Sequence, residues 1–431
     1  MKIIFVASCL FLNLFCLDAQ NKLERKLLKA VKNEPSFNGA QVGITLMDLE
    51  KKKKLVAIHS EKRILPASLV KLLTLYGGIQ KFGDSLPALY YKKENNRFYF
   101  WSSGYPLVNH PLYKDSTVTS FLKKQKDSLF YVSRPMLSSP LGIGWAWDDQ
   151  AYYFSAKKSS FPVYGNVVEI KSNPNLEQLQ FNPSFFENIL KYTVEKNNYI
   201  FRTNDHVFKL SRFQKDSIYI PFIPSDSLII LALSKSLNSP VYSEPKKTDI
   251  HFNSKTLYTS VEKVYKAIIQ DSDNLIAESL MLMLSGTEQW QLDTALGIDI
   301  IHRQNKMMFE NIEQVDGSGL SRNNLLTHKI LIKVLKNIYK SFGRTRVKNY
   351  FPQGNSEGTL LLYAPSVNMS FVYAKTGSMK NNSLLAGYLL SPSKKSYCFV
   401  VSVNNYKGGK RAIQKSIANL LLVIINKMKL N

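Results

Sequence analysis

The stretch Leu65-Pro66-Ala67-Ser68-Leu69-Val70-Lys71-Leu72-Leu73-Thr74-Leu75-Tyr76 decides how the rest of the chain is read. Pro66 suits a helix start, and Leu69, Leu72, Leu73 and Tyr76 recur at helical spacing, which predicts a helix with one apolar face. Gly77-Gly78 weakens that helix, and Gly83 is its expected end. One turn separates Ser68 from Lys71, which places hydroxyl and amine on one face. A serine hydroxyl is a weak nucleophile at neutral pH and needs a base beside it. A lysine serves when burial or neighbouring positive charge lowers its pKa. Alone, Ser-x-x-Lys is a common accident of helices, with a serine at the helix start and a solvated lysine.

Two further motifs supply the company it needs. Ser321-Arg322-Asn323 lies within Asp316-Gly317-Ser318-Gly319-Leu320-Ser321-Arg322-Asn323, where two glycines predict a tight loop presenting a hydroxyl and an amide. Lys375-Thr376-Gly377-Ser378 closes an apolar strand, so a cation and a hydroxyl there suit a substrate carboxylate. Gly377 is expected to let substrate lie against the strand edge. Each alone also reads as an ordinary turn or strand end. In this order, on helix start, loop and strand, they match the S-x-x-K, S-x-N and K-T-G set of serine acyl-transfer enzymes.

Outward from these motifs, Val42 to Leu46 and Leu55 to Ile58 alternate around Lys51 to Lys54, which reads as a solvated hairpin turn. Asn21 to Asn33 reads as a basic amphipathic helix. From about Ser85 to Lys255, aromatic and β-branched stretches such as Arg97-Phe98-Tyr99-Phe100-Trp101 alternate with turn residues, which predicts a β-rich region. Helical patterns follow over about Tyr258 to Leu284 and Thr327 to Ser341. Strands are expected at Phe371 to Lys375, Leu384 to Leu390 and Tyr397 to Val403 in an antiparallel meander, then a helix over Lys410 to Met428.

The chain resembles the low-molecular-mass D-alanyl-D-alanine carboxypeptidase/endopeptidase family, the class C penicillin-binding proteins. Besides the three motifs, the matching segments are Leu65-Pro66-Ala67-Ser68, Gly144-Trp145-Ala146-Trp147-Asp148-Asp149, Ser272-Asp273-Asn274 with Ala277-Glu278, Glu357-Gly358-Thr359-Leu360 and Leu385-Ala386-Gly387-Tyr388. Glu357 departs from the family's usual Asp, and Ser102-Ser103-Gly104-Tyr105-Pro106 departs from its Gly-Gly-Asp-Pro-like signature. The resemblance implies an α+β fold of the penicillin-binding and serine β-lactamase-like transpeptidase type, an antiparallel sheet with helices. A β-rich insert would separate the first and second motifs. The expected division is a signal peptide at 1–19, a split catalytic domain at 20–84 and 256–431, and the insert at 85–255.

The same resemblance implies the chemistry. Lys71 takes the Ser68 proton, Ser68 attacks the penultimate D-alanine carbonyl, and Ser321 relays the proton to the leaving residue. Asn323 positions the substrate amide and Lys71, while Lys375 and Thr376 hold the terminal carboxylate, with Gly377 and Ser378 as further substrate-binding residues. The amides of Ser68 and Ser378 form the oxyanion hole. Peptidoglycan stem peptides are the implied substrates and β-lactams the implied covalent inhibitors. Asp149, with Phe154 as an accompanying aromatic, is the expected contact for an amino-terminated stem side chain. The bland reading of Asp148 and Asp149 is a polar turn after two core tryptophans. No cofactor or metal is implied, since the six histidines show no ligand spacing.

Rival readings are weaker. Gly354-Asn355-Ser356-Glu357-Gly358 fits a nucleophile elbow, but Pro352 breaks a preceding strand and no histidine follows His328 to complete a triad. The same fold could also carry a β-lactamase or an esterase. A catalytically silent wall-binding protein is the rival from outside the enzymes.

Composition fits an exported enzyme. Lys2 and the apolar run Ile3 to Leu17 before Ala19 read as a secretory signal, hence a periplasmic or secreted protein. Val6-Ala7-Ser8-Cys9 resembles a lipobox, but the apolar run continues well past it. The mature chain keeps Cys398 alone, within an apolar strand, as a buried structural thiol. The net charge of +25 points to anionic envelope polymers. Nucleic acid is disfavoured by export and by the lack of a recognition motif.

Overall fold

The computed structural model describes residues 22–172, 179–195, 200–211, 217–244, 253–354, 359, 360, 363 and 370–428. The expected signal segment and the Ser356 elbow lie outside them. Helix α1 covers 22–32. Strands β1 (Gln41–Asp48) and β2 (Lys53–Ile58) form the expected antiparallel hairpin, followed by the short β3 (Arg63–Ile64). A 3-10 turn at Ala67–Val70 leads into α2 (Lys71–Phe82), which Gly83 ends at φ 58°. Gly77 and Gly78 lie inside α2 because neighbours press against it. A Cβ at Gly77 would stand 2.4 Å from the Ile301 side chain, and one at Gly78 would stand 2.9 Å from that of Leu280.

The intervening region holds β4 (Ser85–Glu94), β5 (Arg97–Ser102), α3 (Thr117–Lys123), β6 (Ser128–Tyr131), β7 (Val167–Ser172), β8 (Leu179–Asn182), β9 (Lys191–Glu195), β10 (Phe201–Asn204), β11 (Val207–Ser211), β12 (Ser217–Pro221), α4 (Asp226–Leu237), β13 (Val241–Ser243) and β14 (Lys255–Ser260). They form one sheet in the order β13-β6-β5-β4-β14 and two three-stranded sheets, β10-β11-β9 and β12-β7-β8. The helical pattern expected from Tyr258 is corrected. Tyr258 lies in β14, paired with β4, and the helix proper starts at α5 (Glu262–Lys266). A π-turn at Ala267–Asp271 and the N-cap Asp273 then separate α5 from α6 (Asn274–Ser285). The apolar periodicity spans that interruption because both sides pack on one core.

Helix α7 (Thr294–Gln304), strand β15 (Leu326–Thr327) and α8 (His328–Tyr350) follow, α8 being longer than its sequence pattern and kinked at Gly343. Strands β16 (Val372–Met379), β17 (Asn382–Leu390) and β18 (Ser396–Asn404) form the expected meander, and α9 spans Lys410–Met428. The sheet order is β16-β17-β18-β1-β2, with β16 at one edge. Every residue of β17 and β18 is buried, so both sheet faces are covered. Leu385, Phe399, Val401 and Ile44 pack with α1 and α9 on one side. Leu384, Ala386, Tyr388 and Val400 pack with α2 and α8 on the other. Cys398 is buried in that second core, which pushes its thiol up to about 12.

Candidate active site

Ser68 sits on the 3-10 turn that starts α2, after Ala67, which holds a left-handed φ of 47°. A non-glycine residue in that region is strained, and the surrounding structure must hold it there. Gly319, at φ 77°, does so: a Cβ on it would lie 1.9 Å from the Ala67 carbonyl oxygen, so only glycine permits this approach.

Lys71 is fully buried. Its Nζ donates to Ser68 Oγ at 3.2 Å, to Asn274 Oδ1 at 2.5 Å and to the Ser318 carbonyl at 2.6 Å. Burial lowers its pKa to about 8, against the opposing pull of Asp316, Asp273 and Glu278. An amine so tuned gives up its proton near neutral pH and can serve as a base. Lys375 is also buried, with Nζ donating to the Thr376 carbonyl at 3.0 Å. Burial, and then the Lys71 charge, hold its pKa well below the ordinary lysine range.

The second motif is the main correction. The S-x-N pair that meets Lys71 is Ser272 and Asn274, whereas Ser321 and Asn323 lie elsewhere. Ser272 takes a left-handed φ of 63° and lines the cleft beside Ser68. Asn274 receives Lys71 at Oδ1 and donates from Nδ2 to the Phe154 carbonyl at 2.7 Å. Asp273 caps α6 through the Ile276 amide at 2.8 Å and accepts a hydrogen bond from the Tyr153 hydroxyl. The buried Ser321 instead closes a local turn, its Oγ accepting the Asn323 amide at 3.1 Å, and the Asn323 side chain is exposed. Both triplets have the same spacing in sequence. The choice rests on which of them α6 and the Gly319 loop carry to Lys71, a contact between residues 203 positions apart.

The Asp316 to Asn323 segment thus acts as a cradle. Asp316 accepts the amides of Gly319 (2.8 Å) and Ser321 (2.7 Å) and the Trp145 indole N–H (3.0 Å). Glu278 accepts the amides of Gly317 (2.9 Å) and Ser318 (2.8 Å), and Thr74 Oγ1 donates to the Gly317 carbonyl. These bonds fix the Ser318 carbonyl under Lys71.

Gly377 is a second correction. Its missing side chain makes room for protein, not for substrate: a Cβ would lie 2.8 Å from the Pro66 carbonyl oxygen and 3.1 Å from Leu69. It thereby lets β16 approach the turn bearing Ser68. The K-T-G-S residues also lie inside β16, which runs on to Met379.

A cleft of about 550 Å3 is lined by Ser68, Ser272, Asn274, Ser378, Asp149 and Phe154, together with Arg322, Lys380 and Lys410. Asp149 and Phe154, far from Ser68 in the chain, do reach its cleft. Burial and the neighbouring Asp148 raise the Asp149 pKa, while Arg322 opposes them. Phe154 stacks on Tyr152 with ring centroids 5.6 Å apart. The reading with two core tryptophans does not hold, since Trp147 is 77% exposed.

A cleft-lining serine beside a buried lysine, an asparagine on that lysine and a K-T-G strand at the edge of a helix-covered antiparallel sheet define an active-site-serine hydrolase of the penicillin-binding class. Residues 243–423 match the D-Ala-D-Ala carboxypeptidase 3 (S13) family. The chain is similar to the D-alanyl-D-alanine carboxypeptidase DacB of Haemophilus influenzae, 26% identical over 325 residues, covering 67% of each chain. It also resembles the penicillin-sensitive carboxypeptidase A of Dictyostelium discoideum, 34% identical over 128 residues, 28% of this chain and 24% of that one. In fold it matches the crystal structure of Haemophilus influenzae penicillin binding protein 4, with a TM-score of 0.71 at 20% identity over 93% of this chain and 99% of that one.

Proposed function

We propose that this chain hydrolyses D-alanyl-D-alanine bonds in peptidoglycan stem peptides, as a carboxypeptidase, an endopeptidase or both, through an acyl-enzyme on Ser68. The observation that supports it best is the buried Lys71 amine, brought to a pKa of about 8 and held 3.2 Å from Ser68 Oγ. Lys71 takes the hydroxyl proton as Ser68 attacks the penultimate D-alanine carbonyl. The C–N bond then breaks, and Ser272 relays a proton to the departing amine. Water hydrolyses the ester and frees Ser68. Asn274 holds Lys71 and the substrate amide, and the amides of Ser68 and Ser378 stabilise the oxyanion. Lys375, Thr376 and Ser378 favour the terminal carboxylate, and that orientation makes attack efficient. Asp149, with Phe154 beside it, faces a cationic stem side chain.

The protein is exported through residues 1–19 to the periplasm or beyond the cell. Residues 85–255 form an insert in a catalytic domain split between 20–84 and 256–431. The antiparallel pairing of β4 with β14 supports this, since the insert then leaves and returns side by side. Anionic envelope polymers are proposed partners. Their support is the charge of +25 and a second cleft of about 600 Å3, where Lys62, Arg63, Lys329 and Lys333 outnumber Glu61 and Glu310. Fluorescent penicillin tests the central reading: it should label the protein covalently at Ser68, and Ser68→Ala should abolish labelling with the fold intact. Labelling that survives in the variant overturns the assignment.

A further inference from the structure

Tyr153 and Phe154, neighbours on a 3-10 turn of the intervening region, grip the neighbouring pair Asp273 and Asn274. The Tyr153 hydroxyl donates to Asp273 Oδ2, and Asn274 Nδ2 donates to the Phe154 carbonyl at 2.7 Å. Asp273 is 4% exposed. Its Oδ1 caps α6 through the Ile276 amide at 2.8 Å, and its own amide donates to the Ala267 carbonyl at 3.0 Å. With both carboxylate oxygens engaged, the backbone entering α6 is fixed, and Asn274 Oδ1 stands 2.5 Å from Lys71 Nζ. Tyr153 is anchored in turn, its ring packing edge-on against Tyr219 with centroids 5.9 Å apart, beside Leu275 of α6. Burial, and then the Asp273 charge, push its hydroxyl well above the ordinary tyrosine range, so it remains a donor. His110, Tyr113 and Asp271 also face Asp273, and burial pushes His110 down to about 4, so it is uncharged at neutral pH. Neither Tyr153 nor Asp273 lines the cleft, so any part they play in the reaction passes through Asn274 and the field at Lys71.

We propose that Tyr153 is a positioning residue of the acyl transfer: its hydroxyl holds the Asp273 carboxylate so that Asn274 presents its oxygen to Lys71 beside Ser68, and it tempers the negative charge that Asp273 turns toward that amine. The inference rests on Lys71 as the base. The charged groups facing Lys71 are Asp316, Asp273, Glu278 and Lys375, so a change at Asp273 alters one of three carboxylates that favour the charged amine.

The test follows penicillin acylation by stopped flow across pH, which separates the acylation rate constant from the non-covalent dissociation constant. Tyr153→Phe should lower the rate constant roughly tenfold, the scale of one hydrogen bond to a carboxylate, with the dissociation constant within about twofold of the parent's. It should also move the pH midpoint upward, because the unshielded carboxylate favours charged Lys71. Asp273→Asn should move the midpoint downward by roughly half a unit or more, since asparagine keeps the helix cap and loses the charge. In an Asn274→Ala background, Tyr153→Phe should cost less than about twofold, because the residue it acts through is gone. Tyr219→Phe, which removes a nearby hydroxyl bonded to Glu169 at 3.3 Å, should change acylation less than about twofold. Acylation by Tyr153→Phe at the parental rate and midpoint overturns the inference. So does an undiminished Tyr153→Phe effect in the Asn274→Ala background, or an equal slowing by Tyr219→Phe. An Asp273→Asn midpoint that stays put or rises overturns it even if Tyr153→Phe fails to fold. A parent whose acylation does not rise as pH approaches about 8 removes Lys71 as the base and the inference with it; a parent that rises while the variants match it removes only the role of Tyr153.

Discussion

Lys71 makes the pH dependence a property of one residue. Its pKa falls from 10.5 to about 8 because the folded protein buries the amine. Acylation needs the neutral amine, so kcat/KM should rise with pH and level off above about 8, which a pH–rate profile with a depsipeptide substrate checks. Stability moves in the same direction. Between about 8 and 10.5 the unfolded chain binds the proton that the folded one has lost, so this group adds stability as pH rises through that window. Asn274 and Asn323 give a second residue-scale contrast. Asn274→Ala should slow penicillin acylation by roughly a hundredfold, the effect of a misplaced reacting group. Asn323→Ala should change it less than about threefold, because its side chain is exposed and away from Lys71. Stopped-flow acylation rates decide between them.

At the scale of elements, the active site is a contact of three pieces: the turn before α2, the Asp316 to Asn323 cradle and β16. Glycines set how closely they approach. Gly319→Ala would combine a left-handed backbone angle with an overlap on the Ala67 carbonyl, costing at least about 2 kcal/mol. Chemical denaturation should show that loss. Penicillin acylation should fall with it, since the displaced backbone is the one bearing Ser68.

For the molecule as a whole, the intervening region is tied to the helical core by a buried arginine held by backbone carbonyls. Arg134 donates to the carbonyls of Trp290 (2.6 Å), Ser102 (3.1 Å), Gly286 (3.1 Å) and Gln289 (3.0 Å). It thus joins β5 to the end of α6 and the loop after it. Burial lowers its pKa to about 10, so it stays charged at neutral pH. Arg134→Met removes the donors and leaves buried carbonyls unpaired, at about 1–3 kcal/mol for each one that stays dry. The melting temperature should fall clearly, with little change in the pH profile set by Lys71.

The sequence by itself determined the motifs, the hairpin, the meander, the last helix and the class of chemistry. Each is written in local spacing: one helical turn from Ser68 to Lys71, alternation in β1 and β2, helical periodicity in α9. It also pointed to Asp149 and Phe154, through family likeness rather than through any local pattern. Local spacing does not separate Ser272-Asp273-Asn274 from Ser321-Arg322-Asn323, and it does not say what fills the space a glycine leaves open at Gly377. Those depend on contacts between residues far apart in the chain. Only the tertiary structure, by carrying α6 to Lys71 and β16 against the Pro66 carbonyl, decided which asparagine meets the lysine and which glycine serves packing.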